Sequence, residues 1–183
     1  MQAVLDACDA GRLSAHPSVL VTNNRKAEAI ERAKLAGIAV HVINSVTHPD
    51  PDELDQAICD ALRDGGCDLV LLAGYMKMIG PQVLAAFKGR IVNIHPSLLP
   101  RHGGRGMYGM HVHRAVIEAG DQITGVSVHV VDEEYDSGRV LAQTEVPVVP
   151  GDTPESLSVR VLDAEHEFLV ETIGRIAAGE LQT

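Results

Sequence analysis

The sequence predicts an α/β fold: a doubly wound, mostly parallel sheet with helices on both faces. Short runs that are apolar on both faces alternate with helical stretches, which is the pattern of a parallel sheet covered on either side. The helical stretches are closed by glycines or opened by N-cap residues, so strand and helix segments are cleanly punctuated. After His111 the order changes to one helix, two successive β runs and a long closing helix.

Taken in order, residues 2–10 have helical spacing, with Gly11 as the stop. Residues 18–21 are a short β run, 26–36 a helix ended by Gly37, and 38–43 β-like again. Asp50 opens an amphipathic helix over 51–63, and Gly65-Gly66 separates it from a strand over 68–73. A short helix over 81–87 leads into a strand that reaches Ile94. Beyond the helix ending at Ala119, β runs over 125–131 and 139–148 flank an acidic turn. Thr153, with Asp152 beside it, then opens a helix over 154–178.

The chain has 183 residues, no internal repeats and no linker-like segment, which points to one domain large enough to bury a core. Its hydrophobic content of 45% with 22% charged residues is that of an ordinary globular protein. No apolar run approaches the ~18–20 residues that a bilayer-spanning helix needs. The formal charge of −10, with no compensating Lys/Arg run, argues against binding nucleic acid or a membrane surface non-specifically. Cys8, Cys59 and Cys67 are odd in number and have no CxxC spacing, so neither a disulfide framework nor a zinc knuckle is indicated, and a reducing cytoplasm is expected.

The most informative stretch is Asn93-Ile94-His95-Pro96-Ser97-Leu98-Leu99-Pro100. Residues two apart in a strand project to the same face, so Asn93 and His95 share one site. Pro96 ends the ladder there, at the carboxyl end of a strand, where open α/β sheets bind ligands. An amide that can hold a developing oxyanion beside an imidazole that can move protons is the equipment of acyl transfer.

A second group lies in the stretch from Gly125 to Gly138. Alternation puts Ser127 and His129 on one strand face, and the acidic loop from Asp132 to Asp136 follows. A carboxylate from that loop, brought to His95, favours its imidazolium and relays protons. Taken alone, the same loop reads as a solvated hairpin turn. Gly104-Arg105-Gly106-Met107-Tyr108-Gly109 matches GxGxxG, but a dinucleotide fingerprint needs its first glycine directly after a strand, and here an intervening segment separates them. It reads as a flexible loop near the site. A metal cluster of His95, His102, His111, His113 and His129 is disfavoured, because His111 and His113 at a helix start point apart and no HExxH occurs. Lys77 follows a strand and fits either a pocket or the surface.

LAGYMKMI, NIHPSLLP, GVSVHVVDEEYDSG and AEHEF, in this order over nearly the whole chain, resemble the folate-dependent formyltransferase family. The resemblance implies that residues 1–183 form one domain of the formyltransferase fold. It further implies transfer of the formyl group of 10-formyltetrahydrofolate to the amino group of glycinamide ribonucleotide in purine biosynthesis. On that pattern Asn93 donates to the tetrahedral oxyanion, protonated His95 supports it, and Asp136 orients His95 and helps move the proton to the departing folate nitrogen. Met76, Lys77, Met78, Ile79 and Leu84, with Asn93 and the loop from Asp132 to Asp136, would hold the folate. Ser127, His129 and Glu165 would touch the ribonucleotide. No metal is called for, the partners are these two small molecules, and a monomer or homodimer is expected. The loop between Pro100 and His111 is longer and richer in glycine than the family's shortest form. The family's first strand and its Gly-rich phosphate turn have no counterpart here, so a natural start upstream is expected. Alternatives are formylation of another sugar-nucleotide amine, a non-catalytic folate-binding remnant, and, third, a metallohydrolase.

Overall fold

A computed structural model describes all residues, Met1–Thr183. Backbone proximity divides the chain into two compact units, Met1–Ile91 and Val92–Thr183.

The first unit runs α1 (Gln2–Asp9), β1 (Val19–Thr22), α2 (Ala29–Leu35), β2 (Ala39–Val42), α3 (Pro51–Asp64), β3 (Val70–Leu72) and α4 (Pro81–Ala86). β1 and β2 pair in parallel, from Val19 opposite Ala39 to Thr22 opposite Val42, and α2 and α3 pack against this pair. The Asp50 carboxylate caps α3 by accepting from the N–H groups of Asp52 and Glu53, and Pro51 supplies a first helical position that needs no donor. α2 starts at Ala29 rather than at residue 26. The Asn24 side chain accepts from the Lys26 N–H at 2.9 Å, a local turn that competes with the helix. Buried Asp55 accepts from the Gln82 N–H at 2.7 Å and so serves the open end of α4.

The second unit takes up β4 (Ile91–His95) at Val92 and continues with α5 (Met110–Glu118), β5 (Ile123–Val130), β6 (Val140–Pro147) and α6 (Pro154–Ala177). Here the ladder is antiparallel, the outcome of the change of pattern after His111. Val92 faces Val130, Asn93 faces His129, Ile94 faces Val128 and His95 faces Ser127. β6 lies on the other side of β5, and its register slips between Val128 (opposite Ala142) and His129 (opposite Val140). Leu141 is therefore an extra residue, a bulge of the kind that re-aims neighbouring side chains. α6 packs against β5, β6 and α5, burying Leu157, Val161, Phe168 and Leu169 over the fully buried Val126 and Val128. It opens with a reciprocal cap in which Thr153 Oγ1 accepts from the Ser156 N–H and Ser156 Oγ accepts from the Thr153 N–H. No helix is long and apolar enough to cross a membrane.

Candidate active site

Paired residues of an antiparallel ladder share a face, so the register brings Asn93, His95, Ser127 and His129 to one side of β4 and β5. Asn93 Nδ2 lies 3.1 Å from His129 Nε2. His129 Nδ1 donates to the Val130 carbonyl at 2.9 Å, which leaves Nε2 of the neutral ring as the acceptor for the Asn93 amide. His129 is only 2% exposed, so it works from behind: it turns the Asn93 amide and leaves that amide's second N–H for another acceptor.

His95, 4% exposed, is held at both ring nitrogens. Nε2 lies 2.8 Å from the His102 carbonyl oxygen, and Nδ1 lies 3.5 Å from Asp136 Oδ2. Asp136 comes from the loop between β5 and β6 in a left-handed conformation, φ 55°. Its Oδ2 also accepts from the Gly104 N–H at 2.9 Å, and its Oδ1 is 3.5 Å from His129 Nε2. One carboxylate thus touches both histidines and ties down the glycine loop.

The electrostatics of this group set its resting protonation. Burial is the largest influence on His95 and pushes its pKa below the ordinary value, against the upward pull of Asp136 and the His102 carbonyl. The expected imidazolium is therefore corrected: in this buried site desolvation outweighs the carboxylate, and His95 rests neutral near pH 7. For Asp136 burial is again the largest influence and would raise the carboxyl. The neighbouring imidazoles of His129 and His95 and the Gly104 N–H together outweigh it, and the group ends below the usual carboxylate range. A neutral imidazole beside a standing carboxylate can take up a proton and have the resulting cation stabilised where it forms.

Ser127 has a different task from the ribonucleotide contact expected of it. Its hydroxyl donates to the Ser97 carbonyl at 2.6 Å and accepts from the Leu99 N–H at 3.0 Å and from Gln143 Nε2 at 2.8 Å, with 0% exposure. One donor and two acceptor sites exhaust a hydroxyl, so Ser127 fastens the segment after β4 and has nothing left for a ligand. The Asp132 carboxylate likewise closes its own turn, accepting from the Glu134 N–H and the Ser137 hydroxyl. Glu165 sits half-buried on α6, its carboxyl raised chiefly by that burial. In the first unit Met76, Lys77 and Met78 are exposed in the loop after β3, Ile79 is half-buried, and Leu84 lies on α4. His111 is exposed and His113 buried, pointing apart as their helical spacing requires, and no group of His, Cys, Asp and Glu has the geometry to hold a metal ion.

The reading of single residues missed His102 and Gly104, which act through backbone atoms and leave no side-chain signature. It also missed Gln143, which donates to the Leu99 carbonyl at 3.0 Å as well as to Ser127. The sequence signal for the first two was the glycine-rich run itself, whose permissive backbone lets a loop come this close to the histidine.

A sequence profile described as formyl transferase matches residues 1–173. The chain belongs to the formyl transferase family. Among known relatives of this family member, a chloroplastic phosphoribosylglycinamide formyltransferase of Arabidopsis thaliana is 45% identical over 93% of the chain. The chain spans 59% of that plant protein's length. The phosphoribosylglycinamide formyltransferase of Escherichia coli is 35% identical over the whole chain and 84% of its own length. Among solved structures, glycinamide ribonucleotide transformylase 1 from Symbiobacterium toebii superposes with a TM-score of 0.90 at 38% identity, covering 97% of this chain and 82% of that one. The α/β formyltransferase fold is thus that of the chain.

Proposed function

We propose that this protein transfers the formyl group of 10-formyltetrahydrofolate to the amino group of glycinamide ribonucleotide, a step of purine biosynthesis. The single observation that carries the reading is the convergence of Asn93, His95 and Asp136 on one strand face, an oxyanion donor beside a proton acceptor whose cation a carboxylate can stabilise. The names of the relatives in Arabidopsis and Escherichia coli support formyl transfer to phosphoribosylglycinamide, and 10-formyltetrahydrofolate is the donor that the family resemblance implies.

In this mechanism the amine nitrogen attacks the formyl carbon, the new C–N bond forms, and the carbonyl oxygen becomes an oxyanion that accepts the free N–H of Asn93. The attacking nitrogen gives up a proton to His95, and Asp136 stabilises the imidazolium. Collapse of the tetrahedral centre breaks the bond to the folate nitrogen, which takes the proton as it leaves. The products are a formamide and tetrahydrofolate, and no electrons change hands. The family pattern assigns folate contacts to Met76, Lys77, Met78, Ile79 and Leu84. Two exposed thioethers suit a planar heteroaromatic ring. Glu165 is assigned to ribose hydroxyls, and His129 to orienting Asn93 rather than to the substrate itself. The reaction needs two small molecules, neither nucleic acid nor membrane, and we place it in the cytoplasm.

The test is formyl transfer by the purified chain from 10-formyltetrahydrofolate to glycinamide ribonucleotide, beside Asp136→Asn. Transfer that this substitution abolishes supports the reading. Transfer only to a different sugar-nucleotide amine would redirect it, and binding of folate without any transfer would replace it with a non-catalytic role.

A further inference from the structure

The carbonyl that meets Nε2 of His95 is itself under restraint. Because a carbonyl oxygen only accepts, the 2.8 Å contact from His95 to His102 puts the proton of the neutral ring on Nε2 and leaves Nδ1 bare toward Asp136. His102 presents that carbonyl with φ 52°, a left-handed backbone that a non-glycine residue keeps only where its surroundings enforce it. The enforcing contact is visible. The His102 ring donates through Nε2 to Asp121 Oδ2 at 2.7 Å, and Arg101 donates to the other carboxylate oxygen. Asp121 stands at the turn from α5 into β5, 19 positions along the chain from His102, with its carboxylate 9% exposed. The hydrogen bond from His102 is the largest influence on it and holds its carboxyl below the usual range. The formyl-transfer mechanism gives this buried acid no role.

We propose that Asp121 is a positioning residue of the formyl-transfer step. By clamping the His102 ring it fixes the loop carbonyl against His95 Nε2, and so keeps the proton-accepting nitrogen of His95 facing Asp136. Without the clamp the His102 backbone relaxes from its left-handed state and its carbonyl leaves. The imidazole then shares its proton between both nitrogens and spends part of its time with Nδ1 blocked. The kinetic consequence rests on the proposed function; the consequence for the His95 ring does not.

Both arms use the full chain. The ring signals of His95 are followed by nitrogen-15 NMR and assigned by their absence in His95→Gln. Formyl transfer is measured with glycinamide ribonucleotide and 10-formyltetrahydrofolate. The variants are Asp121→Ala; His102→Asn, which tolerates the left-handed backbone but is too short to reach Asp121; the double variant; and Asp121→Asn, which keeps an acceptor for His102. The wild type shows one His95 tautomer, protonated at Nε2, and Asp121→Ala and His102→Asn each show a mixture. In each, kcat falls about 10- to 100-fold, as small misplacements of a reacting group do, while KM for both substrates stays within about twofold. The double variant is no slower than the slower single one, because both changes break one contact, and Asp121→Asn stays within about threefold of the wild type. A wild-type tautomer and kcat in Asp121→Ala and His102→Asn would overturn the proposal, and so would losses that multiply in the double variant. Should Asp121→Ala fail to fold, His102→Asn against Asp121→Asn decides on the same readings. Should the wild type transfer no formyl group, the proposed function fails and the ring signals alone decide this one.

Discussion

Replacing Asn93 with alanine separates the chemistry of the site from its architecture. The Asn93 amide gives one N–H to His129 at 3.1 Å, and in the proposed mechanism the other serves the oxyanion. Losing one oxyanion donor typically lowers kcat about 10²–10³-fold, or about 2.7–4 kcal/mol of transition-state stabilisation. The stability effect has a separate origin: His129 Nε2, on a ring 2% exposed, loses its amide partner. An unsatisfied buried acceptor costs roughly 1–3 kcal/mol, which a domain with ~5–15 kcal/mol in hand survives. At about 2–4 °C per kcal/mol for a chain of this size, the variant melts measurably lower and is still folded at 25 °C. Single-turnover formyl transfer under saturating substrates, paired with thermal melts, reads the two effects independently. His129→Phe is the control, since it removes the same hydrogen bond and leaves the amide in place; its rate loss should be at least about tenfold smaller than that of Asn93→Ala, by the same donor arithmetic. A rate for Asn93→Ala within about threefold of the wild type, far short of the loss expected of an oxyanion donor, would refute the reasoning. Equal losses in the two variants would refute it as well, because Asn93 would then matter only as a support for His129.

Three further outcomes follow from the same geometry. Asp136→Asn removes the charge that stabilises the His95 cation, and kcat should fall by about 10²-fold or more; a pH–rate profile should show the acidic limb of His95 moving to lower pH. The folded pKa values of His95 and His113 both lie below the ordinary 6.5. The unfolded chain therefore binds protons first as pH drops through that value, and thermal stability should be fully present above it and fall below it. His113→Phe, which also removes a buried Nδ1 without a hydrogen-bond partner, should flatten part of that slope in melts taken from pH 8 to 5.5, a window chosen to bracket ~6.5. Gly138→Ala would drive its Cβ into the Val130 carbonyl oxygen at the root of the Asp136 loop. Such overpacking destabilises by roughly 1–3 kcal/mol, read as a lower melting temperature together with slower transfer.

The parts of the site that were legible in the sequence are those carried by side chains at fixed spacing. Asn93 and His95 had to share a face because a strand has period two, and the structure has them on β4 in that relation. The same rule joined Ser127 to His129, yet it could not tell that one is a fastener and the other an orienting group, because that depends on which atoms arrive from Ser97, Leu99, Gln143 and Asn93. The resting state of His95 was misjudged for a related reason. The sequence names the neighbouring acid but not how much water is excluded, and desolvation proved the larger influence. The element order was readable from capping and glycine stops, and the boundary of α2 was not, because Asn24 competes for the backbone that would have begun it.

By itself, then, the sequence determined the alternation of strands and helices, the pair at the end of β4 and the family it resembles, since all three are local or linear properties of the chain. Tertiary structure decided the rest. The bulge at Leu141, the antiparallel register that sets His129 behind Asn93, and the reach of Asp136, His102 and Asp121 into one network bring together groups far apart in the chain, among them Asn93 with His129 and His95 with Asp136. Hydrogen-bond direction and burial exist only once those groups meet.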